Sequence, residues 1–166
     1  MSKLLRYYAP GQIVFITSVT AKRGRILVKH ADLLTRAFHN SQRKSQFELV
    51  AWVILPDHFH CLIGNPKADM PAIMQRIKLS FSKQVRFSTE WSGPVWQHRY
   101  WDHIIRCEEY LRRHIDYIHY NPVRHGLVNS PRLWPHSSFS AFLEAGYYEG
   151  GWGERVIDFD ENRFGE

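Results

Sequence analysis

Four strand-like and three helix-like stretches, in the order β-α-β-β-α-β-α, predict an α+β chain. Two observations carry this expectation. Segments that alternate apolar and polar residues are interleaved with segments of helical spacing, and two strand-like segments stand close enough about Pro56-Asp57 to pair as a hairpin.

Taken in order, "QIVFITSVT" (12–20) alternates β-branched and polar residues and reads as a strand, followed by the basic turn "AKRGR". "HADLLTRAFHNSQRK" has helical spacing through Leu33, Leu34, Ala37 and Phe38. "FELVAWVIL" and "HFHCLIG" are the hairpin strands. "MPAIMQRIKLSFSKQVRF" is a basic amphipathic helix, with Ile73, Ile77 and Phe81 on one stripe and Arg76, Lys83 and Arg86 off it. After Gly93-Pro94, "RYWDHIIR" supplies a fourth strand, and "CEEYLRRHIDYIHYN" a third helix that Pro122 is expected to end. This is the ferredoxin-like β-α-β-β-α-β arrangement with an added C-terminal helix and tail. Such a sheet hosts many functions, so the site must name the activity.

The length suits one domain. Its charge is uneven: 144–166 holds seven acids against two bases, a net of −5, so residues 1–143 carry +11 of the total +6. We therefore divide the chain into a basic domain, 1–143, and an acidic tail, 144–166, read as a solvated end. A basic body favours a polyanionic partner. Cys61 and Cys107 form no C-x-x-C pair, and with Cys61 inside an apolar run both are expected to be buried thiols in a reducing compartment. "MSKLLRYYAPGQ" lacks the apolar core of a signal peptide, and no apolar run has membrane-spanning length. A soluble, cytoplasmic protein is expected.

In "LPDHFHCLIG" strand alternation points His58 and His60 to one side and Phe59 and Cys61 to the other. With ten histidines in 166 residues, chance alone supplies about 0.6 such H-x-H pairs. The pair reads either as half of a metal site or as coincidence. On the third helix, Leu111, Ile115, Ile118 and Pro122 define a core face, and Tyr110, His114, Tyr117 and Asn121 form a polar stripe beside it. Tyr120 falls opposite the core. A phenol and an amide oxygen one turn apart, combined with two imidazoles, suit metal-assisted cleavage of a phosphodiester. The phenol attacks and the cation spreads charge on the phosphate. Mixed nitrogen and oxygen ligands favour manganese or magnesium over structural zinc. The plainer readings are that Tyr117 is a half-buried helix aromatic and Asn121 a helix C-cap.

"PDHFHCLI", "WQHRYWDHIIR" and above all "DYIHYNPVRHGLV" resemble the REP-associated tyrosine transposases, a branch of the single-tyrosine HUH transposases, over nearly the whole chain. The resemblance implies a metal-dependent enzyme (Mg2+ or Mn2+) that cleaves and rejoins single-stranded hairpin DNA, such as REP palindromes, through a 5′-phosphotyrosine intermediate. It assigns the nucleophile to Tyr117 and the metal ligands to His58, His60 and Asn121, in a protein expected to act as a monomer, with a dimer as the alternative. The base that takes the phenol proton is left among water, metal-bound hydroxide and His114 beside the site. Arg76, Lys83, Arg86, Arg112 and Arg113 are candidate DNA-backbone contacts. Trp96, Tyr100 and Trp101 are candidate stacking platforms for bases. Rival readings are a rolling-circle replication initiator-like nickase, which shares the HUH logic, and a non-catalytic nucleic-acid module, which would need aromatics where His58 and His60 stand.

Overall fold

A computed structural model describes residues 11–64, 66, 69–159 and 164. The N-terminal reading of "MSKLLRYYAP" lies outside the described residues, as does most of the tail beyond 159.

Four strands, β1 (Ile13–Val19), β2 (Glu48–Ile54), β3 (His58–Gly64) and β4 (Trp101–Ile105), form one sheet in the order β2-β3-β1-β4, with every neighbouring pair antiparallel. This is the ferredoxin-like order expected from the sequence. Helices α1 (Ala31–Ser45) and α2 (Met70–Ser88) cover one face, and α3 (Glu108–Arg124) crosses the other. A short α4 (Phe139–Glu144), which the sequence pattern does not announce, packs beside α3.

Local chemistry sets the element ends. Pro71 occupies the first turn of α2, where its missing N–H has no helical partner to lose. Glu108 and Glu109 open α3 against its positive end. Lys22 and Arg23 both take left-handed φ values, 54° and 52°, in the basic turn after β1. Left-handed backbone costs a non-glycine residue about 1–2 kcal/mol. The turn delivers Arg23 to Asp57, with Nη1 donating to Oδ2 at 3.2 Å.

The expected end of the third helix is corrected. α3 runs through Pro122 to Arg124, because the proline forfeits only its own N–H bond to the turn before it, while downstream the Asn121 carbonyl still accepts from His125 N–H, and the Pro122 carbonyl from Leu127 N–H. The extra residues carry Arg124 onto the functional face.

Alternation along the central strands splits the core. Val14, Ile16, Phe59, Cys61 and Ile63 pack under α1 and α2. Phe15, Leu62, Ala51 and Val53 pack under Ile115, Tyr117 and Ile118 of α3. The α3 layer is pinned by a buried polar chain. Tyr148 donates to Asp116 Oδ1 at 3.0 Å and its hydroxyl lies 2.9 Å from His119 Nδ1, while Ser138 Oγ lies 2.8 Å from His119 Nε2, accepts from Trp52 N–H at 2.9 Å and meets the Trp52 carbonyl at 3.2 Å. Burial lowers the His119 pKa to about 3, which keeps the ring neutral near pH 7. Among the described residues no helix is long and apolar enough to cross a membrane.

Candidate active site

His58 and His60 enter the α3 side of the sheet together, as alternation demands, and are 3% and 0% exposed. Their ring centroids are 5.0 Å apart. Each ring is oriented from behind through Nδ1. Asp57 Oδ1 stands 2.8 Å from His58 Nδ1, and the His58 contact, aided by Arg23, lowers the Asp57 pKa to about 2. An ionised carboxylate only accepts, so a proton belongs on His58 Nδ1, and in the neutral ring the lone pair is on Nε2. Thr17, paired with His60 across β1 and β3, puts Oγ1 2.8 Å from His60 Nδ1 and donates its hydroxyl to the Phe164 carbonyl at 3.2 Å. A hydroxyl has one proton to give, so His60 Nδ1–H is the donor to Thr17 and His60 Nε2 also carries a lone pair. The sequence signals for these orienting partners are unequal. Asp57 directly precedes His58, whereas Thr17 is found only from strand register.

Tyr117 lies against this pair. Its ring centroid is 5.4 Å from that of His60, and it is 1% exposed. Asn121, one turn on, is fully buried on the same helix. Among the described residues no cluster of three or more His, Cys, Asp or Glu side chains is arranged to hold a metal; an asparagine amide oxygen is a donor of another type. Two imidazoles with outward lone pairs, each held by an oxygen behind, fit a divalent cation.

Four further side chains gather about Tyr117 and its histidine pair, none of them anticipated. Arg124 Nη1 donates to the Tyr117 hydroxyl at 3.3 Å, and its guanidinium carbon is 5.5 Å from the ring centroid. His125 follows, with its ring 5.2 Å from His58 and Nε2 3.5 Å from Arg124 Nη1. A helix read through Pro122 would have placed Arg124 two turns after Tyr117 on one face. Phe164 stacks on the Tyr117 ring at 3.8 Å with an interplanar angle of 7°, and Phe159 meets it edge-on at 5.5 Å. The expectation of a solvated tail is therefore corrected for these two residues: Phe164 is 3% exposed, because an aromatic ring over an apolar site is removed from water. No periodicity in the tail signals this.

The remaining candidates are distributed elsewhere. His114 bonds the Tyr110 carbonyl through Nδ1 at 2.7 Å and packs among Phe15, His103 and Phe164. Burial lowers its pKa to about 4, so it is neutral near pH 7. Arg76, Lys83 and Arg86 lie on α2, across the sheet from Tyr117; Arg76 bonds Ser45 Oγ and Arg86 donates to the Gly93 carbonyl. Arg112 and Arg113 are exposed on α3 and pair with Glu108 and Glu109 at 3.5 and 3.7 Å. Tyr120 is not on an open face: it is 5% exposed beneath Trp152 and Phe159, and its hydroxyl accepts from Ile157 N–H. Trp96 is a core residue, 8% exposed, with Nε1 donating to the Lys78 carbonyl, so it is not a platform for bases. Trp101 remains half-buried beside His103.

Comparison with known proteins gives a consistent picture. The family described as "Transposase IS200 like" matches residues 11–121. A REP-associated tyrosine transposase of Escherichia coli (strain K12) is 35% identical over 162 residues, covering 96% of this chain and 95% of that protein. A solved structure of a REP-associated tyrosine transposase bound to a REP hairpin superposes with a TM-score of 0.86 at 34% identity, covering 100% of this chain and 98% of that one.

Proposed function

This chain belongs to the IS200-like transposase family and is a transposase, and we propose that it cleaves and rejoins single-stranded hairpin DNA, REP palindromes among them, through a covalent bond to Tyr117. The observation that carries the reading is the approach of Tyr117 to His60, 5.4 Å between rings, from an element some sixty residues away. The hairpin substrate is supported by the similar transposase solved with a REP hairpin.

Metal dependence is general in the family. His58, His60 and Asn121 would hold the cation, manganese or magnesium, which when bound draws charge from the scissile phosphate. The chain's own residues do the rest. Asp57 and Thr17 keep both imidazoles in the tautomer that presents Nε2. The Tyr117 oxygen attacks phosphorus and loses its proton, the bond to the 3′-oxygen breaks, and that oxygen leaves as a 3′-hydroxyl, with a 5′-phosphotyrosine retained. The same hydroxyl can reverse the step, so rejoining needs no nucleotide. Because Tyr117 packs on His60 of its own chain, the arrangement supports action as a monomer. We take 1–143 as the catalytic unit and the tail as its cover, since Phe164 stacks on the Tyr117 ring, which is 1% exposed. Arg112 and Arg113, on the same helix as Tyr117, are better placed to track the backbone near the cut than the α2 cations.

The test is incubation with single-stranded hairpin DNA and Mn2+, followed by denaturing electrophoresis. A protein-DNA adduct is expected from the wild type and from Tyr120→Phe, and none from Tyr117→Phe. An adduct with Tyr117→Phe would overturn the assignment of the nucleophile.

A further inference from the structure

Arg124 stands at the oxygen that is to react, yet neither proton transfer nor metal binding calls for a guanidinium there. We infer that Arg124 is a catalytic residue, one that holds the Tyr117 oxygen in line and stabilises the charge that develops on the scissile phosphate. This rests on Tyr117 as nucleophile.

Three observations support it. First, the donor is aimed: Nη1 lies 3.3 Å from the phenol oxygen while the guanidinium carbon sits 5.5 Å from the ring centroid, so the group contacts the oxygen end of the side chain. Second, the position is prepared by the fold. α3 continues past Pro122, and the added turn ends on Arg124, half-buried beside His125 and His58. Third, the chemistry matches the residue type. A phosphorus poised for attack stands about 3–3.5 Å from the nucleophilic oxygen. A planar fork of five N–H donors anchored on that same oxygen is therefore within reach of the non-bridging phosphate oxygens. During attack the new bond from the Tyr117 oxygen to phosphorus forms as the bond to the 3′-oxygen breaks, and negative charge peaks on the non-bridging oxygens. Arg124 keeps all its protons throughout and neutralises that charge. In the reverse step it stabilises the phenolate as it leaves.

The experiment is single-turnover cleavage of a single-stranded DNA hairpin with Mn2+ by the full chain, alongside hairpin affinity and thermal unfolding. For Arg124→Gln the cleavage rate constant is expected to fall about 10²–10³-fold, with affinity changed by less than about threefold and the unfolding midpoint unmoved. Arg124→Lys should recover part of the rate, because it restores the charge without the fork. Millimolar guanidinium ion should recover part of the rate of Arg124→Ala, which a packing role would not allow. A rate within about threefold of wild type for Arg124→Gln, or an Arg124→Ala defect that guanidinium leaves untouched, overturns the inference. Tyr117→Phe, run in parallel, separates the two readings. If Tyr117→Phe still forms the adduct, the nucleophile is wrong. If it is inert while Arg124→Gln is fully active, only the role of Arg124 fails.

Discussion

On β3, Phe59, Cys61 and Ile63 enter an apolar layer beneath α1 and α2, whereas His58 and His60 enter a layer beneath α3 that also holds Thr17, Tyr117 and Asn121. The two layers are made by alternate residues of the same strand, so backbone geometry cannot explain their difference. What differs is how buried polarity is satisfied. The first layer buries only small hydroxyls such as Ser41, Ser45 and Ser82 beside its apolar side chains and pushes the Cys61 thiol pKa upward by burial alone, whereas Cys107, expected to be buried as well, is exposed. In the second, imidazoles are oriented by Asp57, Thr17, Tyr148 and Ser138, and burial lowers the pKa of His114 and His119. One face is arranged for stability and the other to hold reactive groups in a chosen protonation state.

Adjacent residues offer the sharpest way to break this contrast. His60→Ala should abolish adduct formation while leaving hairpin affinity largely intact in a gel-shift titration, because phosphate contacts dominate binding. Phe59→Ala, one residue away, should cost about 3–5 kcal/mol in urea unfolding, because its ring meets Phe38 and Trp96 in the dry layer. If the two effects were exchanged, the assignment of the faces would be wrong.

Acid should act through the α3 side. Burial lowers the pKa of His103 and His114 to about 4 and of His119 to about 3. Unfolded histidine titrates near 6.5. Between those values the unfolded chain binds protons that the folded chain refuses, so this stability is complete above about pH 6.5 and is lost as pH falls toward 4. Urea unfolding at pH 7.5 and pH 5 should differ by on the order of a few kcal/mol. His119→Gln, which has no imidazole to titrate, should flatten part of that slope.

Smaller changes probe how the site is held. Thr17→Val removes the oxygen behind His60 at nearly constant volume, and should lower Mn2+ affinity or cleavage about 10–100-fold with little change in melting. Phe164→Ala removes the ring stacked on Tyr117. Such a stack contributes about 0.5–1.5 kcal/mol, so initial adduct formation should rise by up to about tenfold. No change would mean that the tail leaves the site without cost.

The sequence pattern locates its elements closely. The histidine strand is read as 58–64 and observed as His58–Gly64, and the second helix, read as 70–87, is observed as Met70–Ser88. Period-two and period-3.6 patterns are local properties of a chain that must bury one face of each element, which is why they survive without a template. The same two rules place His58 with His60 and Tyr117 with Asn121. They say nothing of which strand residue faces His60, so Thr17 is invisible until β1 and β3 are in register. They also mislead at Pro122, where a local rule stops a helix that tertiary packing continues. Helical phase sets Tyr120 opposite the core because it counts one buried side, whereas the C-terminal segment supplies a second.

The sequence by itself determined the order of the elements, the two halves of the site and the resemblance from which transposase chemistry followed. Local periodicity and residue chemistry are written along the chain. Only the tertiary structure decided that Tyr117 meets His60, that Arg124 reaches the Tyr117 oxygen, and that Phe164 covers it. Those contacts join residues that are distant in sequence or set past an apparent helix stop. They depend on sheet register, on the crossing of α3 over the sheet and on the return of the C-terminal segment, and no short-range pattern encodes these.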